Sequence, residues 1–449
     1  MTFAEKRTLT EYPRGAYRWT LLLLTVVATM LASFEFQLAP ILSLLLPYLH
    51  LTKIGYGYFV SFSVLVSAVS ALFGGPFADR YGRVILIDVC LAIVLVLVFA
   101  NLAIRGIESF VIVRTLMAIV AGVMVGAGAA LVRDMSPRLN RAFAFALLTV
   151  GPVGSNYLAN LIAAATLPIF HTWQSQIWIL GIMGIVMFVP VFLFLKDLSP
   201  DLRFRIYQSE VASIEKVAND SEAVAESDPE AGNGFVALLS HLEPWLMVVP
   251  FTVSLSLYTT IQGFGPLMFS EAFHYTASEA ASIAAYFWLG NMGAVIVTGL
   301  SSDRLQQRKP VMIFGAILSS IVLMWWIPKF GTTVSRSTMN AVAIFLGGAL
   351  AVTLAPWAAQ YSEKLEEISP RLQATGWAFY GLVTRSWSAV VAPIMLTIAA
   401  RYGWATWMKF TFAALILFAV AMFFTHPSAF PTGQTEVEPD AEAAVSGDF

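Results

Sequence analysis

Two arginines lie inside long apolar stretches, where a charged side chain is costly unless something neutralises it. Arg385 stands near the middle of the stretch 372–399, and Arg114 lies about five residues inside the stretch 109–132. An arginine at membrane depth must face a cavity, an anion or a partner, and its planar guanidinium suits two-pronged binding of a carboxylate. We expect both to bind an anionic ligand. The alternatives are a permanent partner for Arg385, such as Glu35 or a backbone carbonyl, and snorkelling of Arg114 to the interface.

Glu35 is the one acidic residue deep inside a predicted span, at 18–46. A carboxyl group in such a place can exchange a proton as its surroundings change. We expect Glu35 to be the proton carrier. A structural ion pair within the bundle is the alternative.

Six uncharged side chains complete the candidate binding set, because rings and amides are typical of small-molecule pockets. For each of them, packing in the core is an equally good explanation. They are Asn156, Tyr258, Gln262, Trp357, Trp377 and Tyr380.

The composition excludes several classes of function. Of 449 residues, 58% are hydrophobic and 12% charged, and the mean hydropathy is +0.74, which does not fit a soluble protein. A net charge of −2 argues against nucleic acid as a partner. One cysteine, Cys90, and five scattered histidines predict no disulfide framework and no metal site. No phosphate-binding Gly-rich loop and no catalytic cluster is present, so we expect neither an enzyme nor a cofactor.

Twelve apolar stretches are long enough to cross a membrane, which predicts an all-α membrane protein of two six-helix bundles. The predicted spans are 18–46, 54–77, 84–104, 109–132, 141–166, 175–196, 243–268, 278–300, 310–328, 338–361, 372–399 and 404–425. The predicted organisation is an N-terminal tail (1–17), a first bundle (18–196), an acidic linker (197–240), a second bundle (241–425) and an acidic C-terminal tail (426–449).

Lysine and arginine placement predicts the orientation. With both termini on the cytoplasmic side, fourteen of these residues lie on that side and five on the other, leaving the linker uncounted. Cytoplasmic loops carry the excess of positive charge. We therefore expect a multi-pass protein of the cell membrane, in contact with lipid, with both termini in the cytoplasm.

A charged hinge joins two of the spans, and the chain contains a second copy of it. The first runs from Gly75 through Asp79 to Arg83, and the second contains Asp303, 224 residues further on (303 − 79). Ser136-Pro137-Arg138-Leu139 likewise returns as Ser369-Pro370-Arg371-Leu372. Each Ser-Pro pair is typical of a helix start. These two repeated motifs predict an internal duplication of the chain. We also expect Asp88, which follows the first hinge, to belong to that hinge.

The sequence Gly75-Pro76-Phe77-Ala78-Asp79-Arg80-Tyr81-Gly82-Arg83 resembles the signature loop of the major facilitator superfamily. The resemblance implies two six-helix halves built from inverted repeats, with helix 2 beside helix 11 and helix 5 beside helix 8. It also implies cytoplasmic latches, with Asp79 facing the start of helix 11 and Asp303 the start of helix 5, while Arg83 pairs with Asp134. The alternative is that these charged residues belong to ordinary loops and only determine how the protein is oriented in the membrane. The implied gating residues are Gly75, Asp79, Arg80, Gly82, Arg83, Asp134, Asp303 and Arg304.

Two further resemblances are partial. Arg114 stands where the family has an R-x-x-x-G motif linked to proton coupling, but Ala118 replaces the glycine. Gly151-Pro152-Val153-Gly154 resembles part of the helix-5 motif of drug:proton antiporters, without its upstream glycines.

These features predict a secondary transporter that works by alternating access. The leading hypothesis is a monomer that carries a small organic anion together with protons. A multidrug or metabolite exporter of the same fold is the first rival, and it would not need Arg385. A receptor or scaffold without transport is the second, favoured only by the acidic linker and tail.

Overall fold

The computed structural model describes residues 7–135, 141–199, 201–203, 205, 238–305, 308–368 and 373–426. Within these ranges, twelve helical segments are long and apolar enough to cross a membrane, which confirms the predicted number. Their outward faces carry large exposed apolar side chains such as Leu72, Val96 and Phe423. In water such a surface would aggregate, whereas in a bilayer it faces lipid.

The described residues of the first half include two short strands, seven α-helices, a long 3₁₀ segment and a 3₁₀ turn at Asn101–Ala103. They are β1 (Thr8–Leu9), α1 (Gly15–Ala32), the 3₁₀ segment (Ser33–Ile41), α2 (Leu42–Tyr48), α3 (Lys53–Tyr81), α4 (Arg83–Ala100), α5 (Ile107–Met135), α6 (Arg141–Phe170), α7 (Trp173–Phe194) and β2 (Asp197–Leu198).

The second half is helical. Its helices are α8 (Leu242–Ser254), α9 (Ser256–Phe273), α10 (Ala277–Leu305), α11 (Arg308–Trp326), α12 (Arg336–Ile368), α13 (Gln373–Tyr402) and α14 (Trp404–Phe424).

The first span of each half is interrupted, which the hydropathy pattern does not reveal. In the first half the 3₁₀ segment Ser33–Ile41 contains Pro40, which cannot donate a backbone hydrogen bond. In the second half α8 and α9 meet at Leu255, and the hydroxyls on either side donate to carbonyls in the preceding turn. Ser254 Oγ lies 2.7 Å from Phe251 O, and Ser256 Oγ 2.6 Å from Val253 O. Interrupted helices in transporters are characteristic of binding sites.

The internal duplication is visible in the backbone. His50 and His274 each end the first span of their half in the left-handed region, with φ of 50° and 60°, and lie 224 residues apart (274 − 50). Helix crossings repeat as well. A Cβ at Gly122 of α5 would lie 2.2 Å from the Ser67 carbonyl of α3, and one at Gly347 of α12 2.0 Å from the Phe287 carbonyl of α10. Glycine is required at both crossings because the helix backbones touch.

The main packing across the two halves involves three pairs of elements. The 3₁₀ segment lies against α9, α3 lies against α13, and α6 lies against α10. The last two are helices 2 and 11 and helices 5 and 8 in order of the spans, so the expected neighbours are confirmed. The space between the halves is therefore bordered by the two interrupted spans.

In each odd-numbered span the chain runs from the end at which the first span begins, the proximal end, to the opposite end, the distal end. The loops at Leu49–Thr52, His171–Thr172 and His274–Thr276 lie at the distal end. There the rings of Tyr56 and Phe264 meet across the halves with centroids 5.9 Å apart. Ser278 Oγ also donates to Ala164 O at 2.7 Å. The halves are thus in contact at the distal end.

Candidate functional site

A cavity of about 210 Å³ lies inside the second half, between α8, α9, α10, α12, α13 and α14. It begins at Leu255, where the seventh span is interrupted, and combines aromatic rings with hydroxyls and an amide. Within the described part of the chain, none of its lining residues is charged. They are Phe251, Thr252, Ser254, Leu255, Tyr258, Thr259, Asn291, Leu350, Thr353, Leu354, Tyr380, Thr384, Trp387, Ser388 and Leu415.

The polar groups of the lining differ in how they are occupied. Asn291 Nδ2 donates to Gly347 O at 3.1 Å, and Thr384 Oγ1 to Tyr380 O at 2.8 Å. Trp387 Nε1 donates to Ser256 Oγ at 2.9 Å, which ties α13 to the start of α9. Thr252 is buried, and its hydroxyl makes no hydrogen bond to any described residue. A buried hydroxyl without a partner is costly, so Thr252 is available to a ligand.

The aromatic wall of the cavity is held rigidly from behind. Tyr258 meets Trp288 edge-on at 5.2 Å, and Tyr380 packs at 4.9 Å against Trp357. Trp357 is itself stacked on Phe251 at 3.8 Å and donates its Nε1 to Met247 O at 3.1 Å. Because these rings are already fixed, contact with a flat ligand costs little side-chain conformational entropy.

The uncharged candidates named from sequence divide into two groups. Tyr258 and Tyr380 line the cavity. Trp357 lies behind the wall, and Trp377 meets Tyr380 edge-on at 5.6 Å. Gln262 is one turn along α9 from Tyr258, outside the lining. Asn156 is buried in α6 of the other half and donates to Pro152 O at 2.9 Å.

Arg385 follows Thr384 on α13, but its side chain is exposed and makes no hydrogen bond or ion pair with any described residue. Its direction follows from helix geometry. Eleven residues are about three turns, so Arg385 shares a face with Leu396, which is buried against Gly57 of α3. The exposed apolar side chains Val390 and Ile394 of α13 lie on a different face, about 140° and 180° around the helix from Arg385. Arg385 therefore points toward the opposite half.

Arg114 is partly buried in α5. Its Nη1 lies 3.4 Å from Met117 Sδ, which also accepts from Asn101 Nδ2 at 3.6 Å. Asn101 is fully buried at the distal end of α4. Arg114 thus belongs to a polar cluster inside the first half, separate from the cavity.

Several predicted residues fall where the structure gives no side-chain description. Glu35 lies in the 3₁₀ segment, but its side chain is outside the described part, as are those of Asp79, Asp134, Asp303 and Arg304 and the surroundings of Gly75. The latches implied for the hinge therefore remain predictions. Of the other hinge residues, Arg80 is exposed, with its guanidinium 5.3 Å from the Tyr81 ring, and Gly82 has φ of 92° between α3 and α4.

The hinge has a partner that the sequence pattern did not indicate. Asp197, buried at the start of the connection between the halves, accepts from the backbone N–H of Arg83 at 2.8 Å. Arg203 also lies 3.2 Å from the same carboxylate. An anion at a helix N-terminus is stabilising, so Asp197 fixes the start of α4 directly after the turn at Gly82.

Asp88 is not part of the hinge, contrary to expectation. It is buried in α4 and forms an ion pair with Arg7, which precedes β1. Arg7 also donates to Leu195 O at 3.1 Å, while β1 pairs with β2. The segment before the first span is therefore docked against the proximal end of the first half.

Most residues that line the cavity were not predicted from the sequence, although one of them has a recognisable pattern. Asn291 stands at mid-span in α10, where an amide is unusual enough to merit attention. Threonines and serines such as Thr252, Thr353, Thr384 and Ser388 carry no such signal, because their hydroxyls bond to their own helix when they face lipid or core.

A comparison with protein families decides the classification. The Major Facilitator Superfamily matches residues 21–393. The chain belongs to this superfamily. It is a multi-pass membrane protein with the fold of that superfamily.

Known proteins agree with this at low sequence identity. The MFS transporter cpaT of Aspergillus oryzae is 25% identical over 316 residues, which cover 64% of this chain and 62% of that protein, so the match spans less than two thirds of its length. The gallate transporter of Pseudomonas putida is 22% identical over 320 residues, covering 68% and 70%. The crystal structure of a D-xylose-proton symporter superposes with a TM-score of 0.70, at 13% identity, covering 92% of this chain and 99% of that one. At that identity the superposition concerns the fold alone.

Proposed function

We propose that this protein is a secondary active transporter that imports a small organic anion together with protons by alternating access. It works as a monomer in the cell membrane with both termini in the cytoplasm. The substrate lies between the halves, with its uncharged part in the cavity of the second half and its carboxylate toward Arg385.

The observation that carries this proposal is the position of Arg385. The residue lies one position after the cavity-lining Thr384, is exposed toward the opposite half and has no partner among the described residues. The residues of α3 that follow Gly57 on the same face are Ser61, Val64 and Ala68. None of these three is charged or larger than valine, which leaves room for an anion beside the guanidinium. A guanidinium in such a site binds a carboxylate through two hydrogen bonds.

The character of the cavity supports a ring-bearing substrate. Tyr258, Tyr380 and Trp387 provide aromatic surface, while Thr252, Asn291 and Thr353 provide hydroxyl and amide groups. A hydroxylated aromatic carboxylate combines a ring, hydroxyls and one negative charge. One relative is named as a gallate transporter, which favours this class.

Proton coupling is assigned to Glu35. The residue lies on the 3₁₀ segment Ser33–Ile41, which packs against α9 of the other half. A carboxyl group on an interrupted helix between moving halves changes its surroundings when they rock, and its proton affinity changes with them. Arg114 is assigned a supporting charge in the first half.

The gating assignment follows the hinge. Asp79 and Asp303 would face helix starts of the opposite half when the proximal end closes, and Arg83 would pair with Asp134. Gly75, Arg80, Gly82 and Arg304 would shape the two hinge copies.

Reconstitution in liposomes tests the proposal. Uptake of a hydroxylated aromatic carboxylate should be driven by an inward proton gradient, and Arg385→Ala and Glu35→Gln should each reduce it at least tenfold. Arg401→Ala is the matched control, because Arg401 is an exposed arginine at the distal end of the same helix. Wild-type rates in both variants, for every carboxylate transported, would remove the assignment.

A second candidate is an exporter of uncharged or cationic compounds. The absence of charge among the described residues that line the cavity favours it. It predicts resistance to dyes and antibiotics on overexpression, and this resistance should survive Arg385→Ala.

A further inference from the structure

An ion pair joins the two halves at the distal end. Lys53, the first residue of α3, places its Nζ 2.9 Å from Glu271 Oε1 and 3.0 Å from Oε2. Glu271 belongs to α9 of the other half, two residues before that helix ends. Among the ion pairs between residues that the structure describes, this one alone connects the halves.

The carboxylate of this pair is held in place by its own half. Trp404, the first residue of α14, donates its Nε1 to Glu271 Oε2 at 2.8 Å. The Trp404 ring is buried, at 5% exposure, so its N–H has a fixed direction. A charge-assisted hydrogen bond of this kind orients the carboxylate toward the first half. Lys53 is therefore the member that must leave when the halves separate.

The pair lies beside a close contact between α3 and α13. A Cβ at Gly57, one turn after Lys53, would lie 3.0 Å from both Leu396 Cδ1 and Pro393 Cα. Leu396 is completely buried there. Opening the distal end must separate these helices, and this movement carries Lys53 away from Glu271.

The exposure of the pair fits a contact that breaks and re-forms. The side chains of Lys53 and Glu271 are 33% and 32% exposed. Solvent screens an ion pair of this kind, which makes it weak. A buried pair would instead leave two unpaired charges in hydrocarbon whenever it broke. A weak contact is compatible with a repeated cycle.

We propose that Lys53, Glu271 and Trp404 form a distal latch that holds the halves closed at this end and opens once in each transport cycle. This inference rests on the proposed alternating access. Lys53 and Glu271 are positioning residues, because they set the balance between the closed and open distal end without touching substrate.

A single reporter cysteine tests the latch. Cys90 is the only cysteine, so Leu396→Cys in a Cys90→Ser background places one thiol at the interface between α3 and α13. In lipid nanodiscs, maleimide labelling of this thiol should be slow, and Lys53→Gln or Glu271→Gln should accelerate it by roughly two- to fivefold. The double variant should label no faster than either single one, because both remove the same contact. Trp404→Phe should accelerate labelling less.

Arg401→Gln is the matched control, since it removes an exposed charge at the same end, and it should leave labelling unchanged. A labelling rate equal to that of the parent protein in both Lys53→Gln and Glu271→Gln would overturn the latch. So would a double variant whose acceleration equals the product of the two single accelerations, because the two residues would then act independently. Labelling needs no substrate. If the variants label faster but the protein takes up no carboxylate, the latch stands and the substrate assignment fails. If the protein takes up carboxylate but the variants label at the parent rate, the substrate assignment stands and the latch fails.

Discussion

The guanidinium of Arg7 and the carboxylate of Asp88 form an ion pair inside the proximal end of the first half. Both side chains are almost completely buried, and Asp88 lies on α4 while Arg7 precedes the first span. The contact spans 81 residues of sequence and makes the N-terminal segment part of the first bundle.

Removing one member of this pair should destabilise the protein strongly. Arg7→Ala leaves a buried carboxylate without its cation, which costs about 3–5 kcal/mol. We expect a clear fall in the thermal unfolding temperature in detergent. Arg14→Ala is the control, because Arg14 is exposed in the same segment, and adding Asp88→Asn to Arg7→Ala should restore part of the loss. An unfolding temperature equal to that of wild type would contradict the burial of this pair.

Asp197→Asn should loosen the start of α4. The carboxylate accepts from the Arg83 N–H and pairs with Arg203, and an amide loses the charge that favours both contacts. We expect a loss of about 0.5–2 kcal/mol, measured by denaturant or thermal unfolding. Asp201→Asn, at an exposed carboxylate four residues away, should have no effect. Equal effects of the two substitutions would show that the cap contributes nothing.

Substitution of glycines in α10 should separate close packing from helix propensity. A Cβ at Gly290 would lie 2.2 Å from Ile344 O of α12, whereas Gly293 has no neighbour within 4 Å. Gly290→Ala must push two helices apart and should cost roughly 1–3 kcal/mol. Gly293→Ala should be neutral or slightly stabilising, because alanine favours the helix. Comparable unfolding temperatures for the two variants would contradict the close crossing.

Thr252→Val should affect binding and stability in opposite directions. If its hydroxyl donates to the substrate, the loss of that hydrogen bond raises KM by roughly three- to tenfold. The empty protein should be as stable as before or more stable, because a buried hydroxyl without a partner among the described residues is replaced by a methyl group. Thr411→Val, at a buried threonine whose hydroxyl donates to Met408 O, is the control and should leave KM unchanged. An unaltered KM in Thr252→Val would exclude this hydroxyl from the site.

The fold was accessible from sequence because its main determinant is local. Hydropathy over some twenty residues reports whether a segment crosses the bilayer, so the twelve spans of the structure were predicted close to their observed bounds. The interruptions at Ser33–Ile41 and Leu255 were missed, since they depend on how serine hydroxyls and Pro40 alter backbone bonding within otherwise apolar spans.

The candidate site was predicted only in part. Tyr258 and Tyr380, which the sequence suggests as substrate-binding residues, line the cavity, and their binding role stays a prediction. Trp357 lies one layer behind, and nothing in the sequence separates the two layers. An aromatic residue on a helix has the same local pattern whether it faces a cavity or its wall.

The sequence by itself determined the spans, the duplication and the presence of charges at membrane depth, because apolar length and residue type are properties of consecutive residues. Only the tertiary structure decided which charges meet. Arg7 pairs with Asp88 and Lys53 pairs with Glu271 through contacts between segments that are far apart in the chain. The carboxylate of Asp197 likewise meets the backbone N–H of Arg83, 114 residues away. Such pairs form because helix packing brings their backbones together, and one sequence without its fold does not specify that packing.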